Sequence, residues 1–198
     1  TDTIEYMDRL LEHSGSGVDL PAAAIVETVQ AEGGVYVASF EWLRRLQDIC
    51  RKYDMLLIID DIQAGCGRTG PFFSFEEAGI QPDIITLSKS LSGYGLPLAV
   101  SLIRPELDVW EPGEHNATFR GHNLAFVTAT EALSFWENDS LTREVAQKET
   151  LVTDFLNSLK SNFPEEIQEV RGRGLLQGIV FAKEGIAKQV TRAAFDHG

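Results

Sequence analysis

The 198-residue chain is 43% apolar and 24% charged, the balance of a folded protein with a sizeable core. Seventeen Lys and Arg against 30 Asp and Glu leave a formal net charge of −13, which argues against nucleic acid or an anionic membrane as partner, since both demand basic patches. No apolar run reaches the length of a membrane span, the N-terminus lacks the pattern of a secretory signal, and two cysteines are too few for a disulfide framework, so a cytoplasmic, reduced protein is expected.

Thr3 to His13 places Ile4, Met7, Leu10 and Leu11 at helical spacing before Gly15 and Gly17 stop the run. Ala22 to Val29 reads as a buried strand, with Gln30, Glu32, Gly33 and Gly34 just past its end. Ser39 is an N-cap candidate for a helix from Phe40 to Tyr53, with Leu43, Leu46, Ile49 and Cys50 on its buried face. Glu41 in the first turn and Arg51 and Lys52 in the last suit the helix dipole. The β-branched run Leu56 to Ile59 follows, so strand, helix and strand predict a βαβ unit with parallel strands.

A glycine-rich loop, Gly65 to Gly70, and a short segment, Phe73 to Ala78, lead to a strand at Ile84 to Leu87 and a fourth candidate at Leu98 to Ile103. The polar stretch from Pro105 to Asn123 is too long for a mere connector. Asn123 to Trp136 reads as a helix. A longer one from Leu141 to about Leu159, capped by Asn138, Asp139 or Ser140, carries Leu141, Val145, Val152, Phe155, Leu156 and Leu159 as an apolar stripe. Ile167 to Val170 and Leu175 to Phe181 predict a short antiparallel pair, and Glu184 to His197 a last helix. The change of pattern divides the chain into an α/β part, residues 1–138, and a helix with the start of a smaller α+β unit, residues 139–198.

Two of the apolar strands end in polar residues that strands rarely bury. Leu56 to Ile59 runs into Asp60, Asp61 and Gln63; Ile84 to Leu87 runs into Ser88 and Lys89. Open parallel sheets bind ligands outside the carboxyl ends of their strands. A lysine at that position is expected to lose solvation, which favours the neutral, nucleophilic amine. Taken singly, Lys89 could snorkel to solvent and Asp60 could cap a turn. Taken together, an amine and a carboxylate after consecutive strands point to pyridoxal 5'-phosphate (PLP), with Asp60 on the pyridine nitrogen, Gln63 near the phenolic oxygen and Lys89 as the Schiff-base lysine.

The blocks ETVQAEGG (27–34), DDIQ (60–63), GCGRTG (65–70) and LSKS (87–90), in this order and spacing, resemble the signature of class III aminotransferases. These are PLP enzymes of fold type I that commonly act on ω-amino groups. The resemblance runs from about Ala22 to the end of the chain. It implies the mostly parallel large domain of that fold, incomplete here, joined to the start of a small α+β C-terminal domain. It also implies the roles already given to Lys89, Asp60 and Gln63, and it assigns Glu32 as the gate that pairs with, and releases, the arginine binding the substrate α-carboxylate.

In the same way GEHNAT (113–118) resembles the loop that crosses the dimer interface, where Thr118 would donate its hydroxyl to the cofactor phosphate of the neighbouring subunit. VRGRG (170–174) resembles the start of the small domain. A homodimer or higher homo-oligomer acting on amino acids and oxo acids, with no metal, is therefore expected. The particular forms DDIQAGCGRTG, in place of the commoner DEVQTG form, with LSKSLSGYGLPLA and ELDVWEPGEHNATFRGHN, narrow the resemblance. They match members that move an amino group from glutamate to aspartate 4-semialdehyde, giving 2,4-diaminobutyrate and 2-oxoglutarate in ectoine biosynthesis. The alternatives are an ornithine, acetylornithine or 4-aminobutyrate aminotransferase, or an inactive fragment serving as a folding or dimer-interaction module.

The family's phosphate cup and ring-stacking aromatic residue do not precede Thr1, and its carboxylate-binding arginine would fall beyond Gly198. A partial chain, inactive by itself, is the expectation.

Overall fold

The computed structural model describes residues 3–93, 95–118 and 120–198. Tyr94 and Phe119, which belong to the LSKSLSGYGLPLA and ELDVWEPGEHNATFRGHN stretches, lie outside the described residues.

Helix α1 (Thr3–Glu12) precedes strand β1 (Ala23–Val26), the short strands β2 (Val29–Gln30) and β3 (Tyr36–Val37), helix α2 (Phe40–Lys52) and strand β4 (Leu56–Asp60). Strands β5 (Ile84–Leu87) and β6 (Val100–Ile103) complete a sheet of order β1-β4-β5-β6. Strands β1, β4 and β5 are parallel, as the βαβ reading requires, and β6 returns antiparallel to β5.

The core follows from the sequence of α2 and β4. Ser39 Oγ accepts a hydrogen bond from the Trp42 amide at 3.1 Å, satisfying one orphan donor of the first turn. Leu43, Leu46, Ile49 and Cys50 are all buried, and they form one cluster with Leu57, Ile59, Ile4, Phe75 and Ile80. Strand side chains alternate between faces, so Leu57 and Ile59 are inaccessible while Ile58 is only half-buried. Each such side chain contributes about 1.5–3 kcal/mol when fully buried.

The run from Ala22 to Val29 is not one strand. The chain leaves the sheet after Val26, and Val29 and Gln30 pair antiparallel with Val37 and Tyr36 instead. Thr28, fully buried, makes the bend: its carbonyl accepts from the Ala38 amide at 2.9 Å and its hydroxyl meets Ser74. Apolar periodicity cannot distinguish a strand that continues from one that changes partner.

Helix α3 (Asn123–Leu133) passes into a 3-10 turn, Ser134–Trp136, and helix α4 (Ser140–Asn162) follows. Asn138 Oδ1 accepts from the Ser140 amide at 2.9 Å, while Asp139, at the cap position, makes no side-chain cap. Of the apolar stripe on α4, Val145 alone is buried and Phe155 is 60% exposed. Strands β7 (Ile167–Arg173) and β8 (Leu176–Phe181) form the expected antiparallel hairpin, and helix α5 (Ile186–His197) ends the chain.

That hairpin packs against the α/β part. The Arg171 guanidinium sits 3.9 Å above the Tyr36 ring, and the Leu175 amide donates to the Arg68 carbonyl at 2.8 Å. Gly174 has φ +59°, and a Cβ there would lie 2.5 Å from the Arg68 carbonyl oxygen, so the close backbone approach requires glycine. Among the described residues no helix is long and apolar enough to cross a membrane.

Candidate active site

Asp60 closes β4 directly opposite Thr86 of β5, and Lys89 follows β5 as the first residue of a 3-10 turn, Lys89–Ser92. The two groups assigned to one ligand thus leave the carboxyl ends of neighbouring parallel strands. Asp60 is half-buried. Its Oδ1 accepts from Thr86 Oγ1 and from the Ile62 amide, each at 3.2 Å. Asp60 Oδ2 accepts nothing among the described residues, so one oxygen is held by the chain and the other is not.

Lys89 adopts φ +51°, a left-handed conformation that costs a side-chain-bearing residue about 1–2 kcal/mol. Ser88 holds the segment by donating to the Leu98 carbonyl at 2.7 Å. Lys89 is exposed, so the burial expected of a lysine at a strand end is not provided by the described residues. Gln63 is half-buried in the turn after β4.

The remaining assigned residues stand apart. Glu32 is exposed at the turn between β2 and β3 and makes no ion pair among the described residues. Thr118 is exposed in the loop before α3 and makes no hydrogen bond to Asp60, Gln63 or Lys89. The structure therefore sets Asp60, Gln63 and Lys89 just after the ends of two neighbouring parallel strands, and leaves Glu32 and Thr118 exposed on other turns.

The glycine-rich loop is built tightly. Cys66 has φ +50° and its amide donates to the Phe72 carbonyl at 2.7 Å. A Cβ on Gly67 would lie 2.5 Å from the Trp136 ring. Burial, with a smaller contribution from the Asp61 carboxylate, pushes the Cys66 thiol up to about 11, so it stays protonated at neutral pH. A cavity of about 310 Å³ is lined by Cys66, Phe72, Ser90, Leu91 and Trp136, but not by Asp60, Gln63 or Lys89. No group of three or more His, Cys, Asp or Glu is placed to hold a metal among the described residues.

Sequence reasoning passed over Asp61, which is 1% exposed. Its carboxylate accepts from the Ser74 amide at 3.0 Å and from the Ser74 hydroxyl. Burial raises its pKa above the usual carboxylate range, against the lowering effect of the Ser74 donors and the Arg173 charge. Arg173, which reads as part of a hairpin turn, is largely withdrawn from water; burial lowers its pKa, opposed by Glu77, Asp61 and Glu149. The available signal was two adjacent acids at a strand end, since a period of two turns one of them inward.

The class-III aminotransferase family profile matches residues 3–198. The chain belongs to the class-III aminotransferase family. It is 58% identical over 197 residues to a diaminobutyrate–2-oxoglutarate transaminase of Halalkalibacterium halodurans, an alignment covering 100% of this chain and 46% of the relative. The acetylornithine aminotransferase of Elizabethkingia anophelis superposes with a TM-score of 0.83 at 31% identity, over 98% of this chain and 49% of that one. An ornithine aminotransferase of Toxoplasma gondii, described with partial occupancy of PLP at its active site, gives a TM-score of 0.72 at 37% identity, over 81% of this chain and 38% of that one.

The class-III chain thus has the fold type I architecture of these aminotransferases, with a mostly parallel central sheet. It spans about half the length of the curated relatives it matches, 46% of each of the first two.

Proposed function

We propose that this chain is the central part of a PLP-dependent aminotransferase that moves an amino group between glutamate/2-oxoglutarate and aspartate 4-semialdehyde/2,4-diaminobutyrate, the reaction of ectoine biosynthesis. The observation that carries this reading is the 58% identity, across the whole chain, to a transaminase named for that reaction. The solved ornithine and acetylornithine aminotransferases are less similar, at 31–38% identity, and so favour the ω-amino alternatives less.

The residues at the strand ends fit the cofactor. Asp60, anchored by Thr86 and the Ile62 amide through one oxygen, would take the pyridine N–H on the other. Gln63 would hydrogen-bond the phenolic oxygen, and Lys89 would hold the aldehyde carbon through its amine. Bound PLP supplies an electron sink for charge developing on the amino-acid carbon. Asp60 would keep the ring nitrogen protonated, and Lys89 Nζ would take and return the proton at the reacting amino-acid carbon.

Glu32 is the proposed gate for a substrate-binding arginine, and Thr118 the proposed phosphate donor to a neighbouring subunit in a homodimer. Their exposed positions are compatible with partners outside these residues. We divide the chain at residue 138 into the large-domain part and the interdomain helix with the start of the small domain. The full-length protein, cytoplasmic in this reading, is tested with a panel of amino donors and oxo acids. Preference for 2,4-diaminobutyrate and 2-oxoglutarate supports the assignment, and preference for ornithine, acetylornithine or 4-aminobutyrate overturns the substrate.

A further inference from the structure

The buried polar side chains behind the strand-end site form one directed chain. Ser74 Oγ has a single proton, given to Asp61 Oδ1, so Thr28 Oγ1 must donate across the 2.5 Å that separates it from Ser74 Oγ. Arg173 Nη2 stands 3.4 Å from Thr28 Oγ1 and donates to the Ser74 carbonyl at 2.5 Å. The same nitrogen lies 3.5 Å from Thr69 Oγ1, whose own proton goes to the Ala64 carbonyl at 3.0 Å. The Thr28 and Ser74 hydroxyls thus stand in line between the guanidinium and the Asp61 carboxylate. The arginine comes from β7, about a hundred residues along the chain from the loop it holds.

Asp61 is bound on both sides. Its amide donates to the Thr86 carbonyl at 3.0 Å, and its carbonyl accepts from the Gly65 amide at 3.0 Å. Thr86 also donates to Asp60 Oδ1. A Cβ on Gly65 would lie 2.7 Å from both the carbonyl and a carboxylate oxygen of Asp61, so the turn from 61 to 65 is wrapped around that side chain. Asp61 directly follows Asp60, the last residue of β4, so holding its side chain and both its backbone groups fixes the turn on which Asp60 and Gln63 stand.

We propose that Asp61 and Arg173 are positioning residues that act through Thr28 and Ser74 to fix the turn presenting Asp60 and Gln63 to the ligand. Docking of the β7–β8 hairpin is thereby coupled to the geometry at the ring nitrogen. The proposal rests on the function given above, since it is that reading which gives Asp60 and Gln63 to the cofactor.

The test uses the full-length protein, wild type beside Arg173→Met, Arg173→Lys and Thr28→Val. Amide exchange at Ile62, whose N–H donates to Asp60, is followed without cofactor, and PLP affinity and the pH titration of its visible band are followed with it. In Arg173→Met, Ile62 exchange accelerates, the band titrates at a shifted pH and PLP affinity falls by about 10–100-fold, the range seen when a residue supporting a ligating group is removed. Arg173→Lys recovers part of each, since an ammonium keeps the charge but not the fork. If Arg173→Met does not fold, Thr28→Val removes one link without uncovering a charge and is held to the same readouts. A lowered melting temperature with unchanged Ile62 exchange, band titration and PLP affinity would overturn the positioning role. Altered Ile62 exchange in a protein whose wild type places no PLP on Lys89 would uphold the clamp and overturn the function it serves.

Discussion

In the proposed reaction Lys89 and Asp60 have different parts, and their substitution separates them. Lys89→Ala in the full-length protein should lower kcat by at least about 100–10,000-fold, the range lost with a positioned proton carrier. Transamination surviving at the wild-type rate would remove Lys89 from the site. Asp60→Asn keeps the shape and the bonds to Thr86 and Ile62 but loses the charge. It should depress kcat far more than PLP affinity, and equal losses in both would show that Asp60 serves only to hold the turn.

Asp61 makes a different kind of statement, about stability. Burial raises its folded pKa above 3.8, so the native state holds this proton more firmly than the unfolded chain does. Stability from this group is complete below the ordinary carboxylate pKa and is lost as pH rises through the raised folded value. Asp61→Asn has no proton to lose, so the melting temperature of the wild type should fall relative to the variant across that window. Parallel pH curves would contradict the burial account. The positions of Asp60 and Lys89 at neighbouring strand ends were legible because both follow apolar runs. Asp61 and Arg173 were not, because pairing across such a distance in sequence leaves no local pattern.

At the scale of elements, α2 and β4 agree with the local signals because cap, dipole and apolar stripe all point the same way. Leu57→Ala in β4 should cost about 2–5 kcal/mol in denaturant unfolding, as its side chain is 1% exposed among Leu43, Leu46 and Ile59. A loss under about 1 kcal/mol would mean the core collapses around the gap. Gly174→Ala places a methyl group against the Arg68 backbone at a left-handed φ. It should destabilise the docked hairpin by more than about 1 kcal/mol, and rapid exchange confined to the β7–β8 amides would be its signature.

The strand from Ala22 to Val29 was misjudged at its end, where Thr28 turns inward to a hydroxyl network invisible in hydropathy. The α4 stripe was read as amphipathic, yet of its members Val152 is 36% and Phe155 60% exposed. Periodicity identifies an apolar face without saying what covers it.

At the scale of the whole molecule, the mostly parallel sheet is the architecture the chain shares with the class-III aminotransferase family, and its strand-end acid and amine support the function proposed for it. The alternation of strand and helix made this architecture legible. The partners of Glu32 and Thr118 were not legible, since a turn's exposure reveals no counterpart. The most direct measurement is an absorbance scan of the full-length protein with PLP, followed by borohydride reduction and mass mapping. The account requires a visible band that, on reduction, becomes a stable adduct on Lys89. A folded protein that gives no adduct, or an adduct on a different lysine, would contradict it.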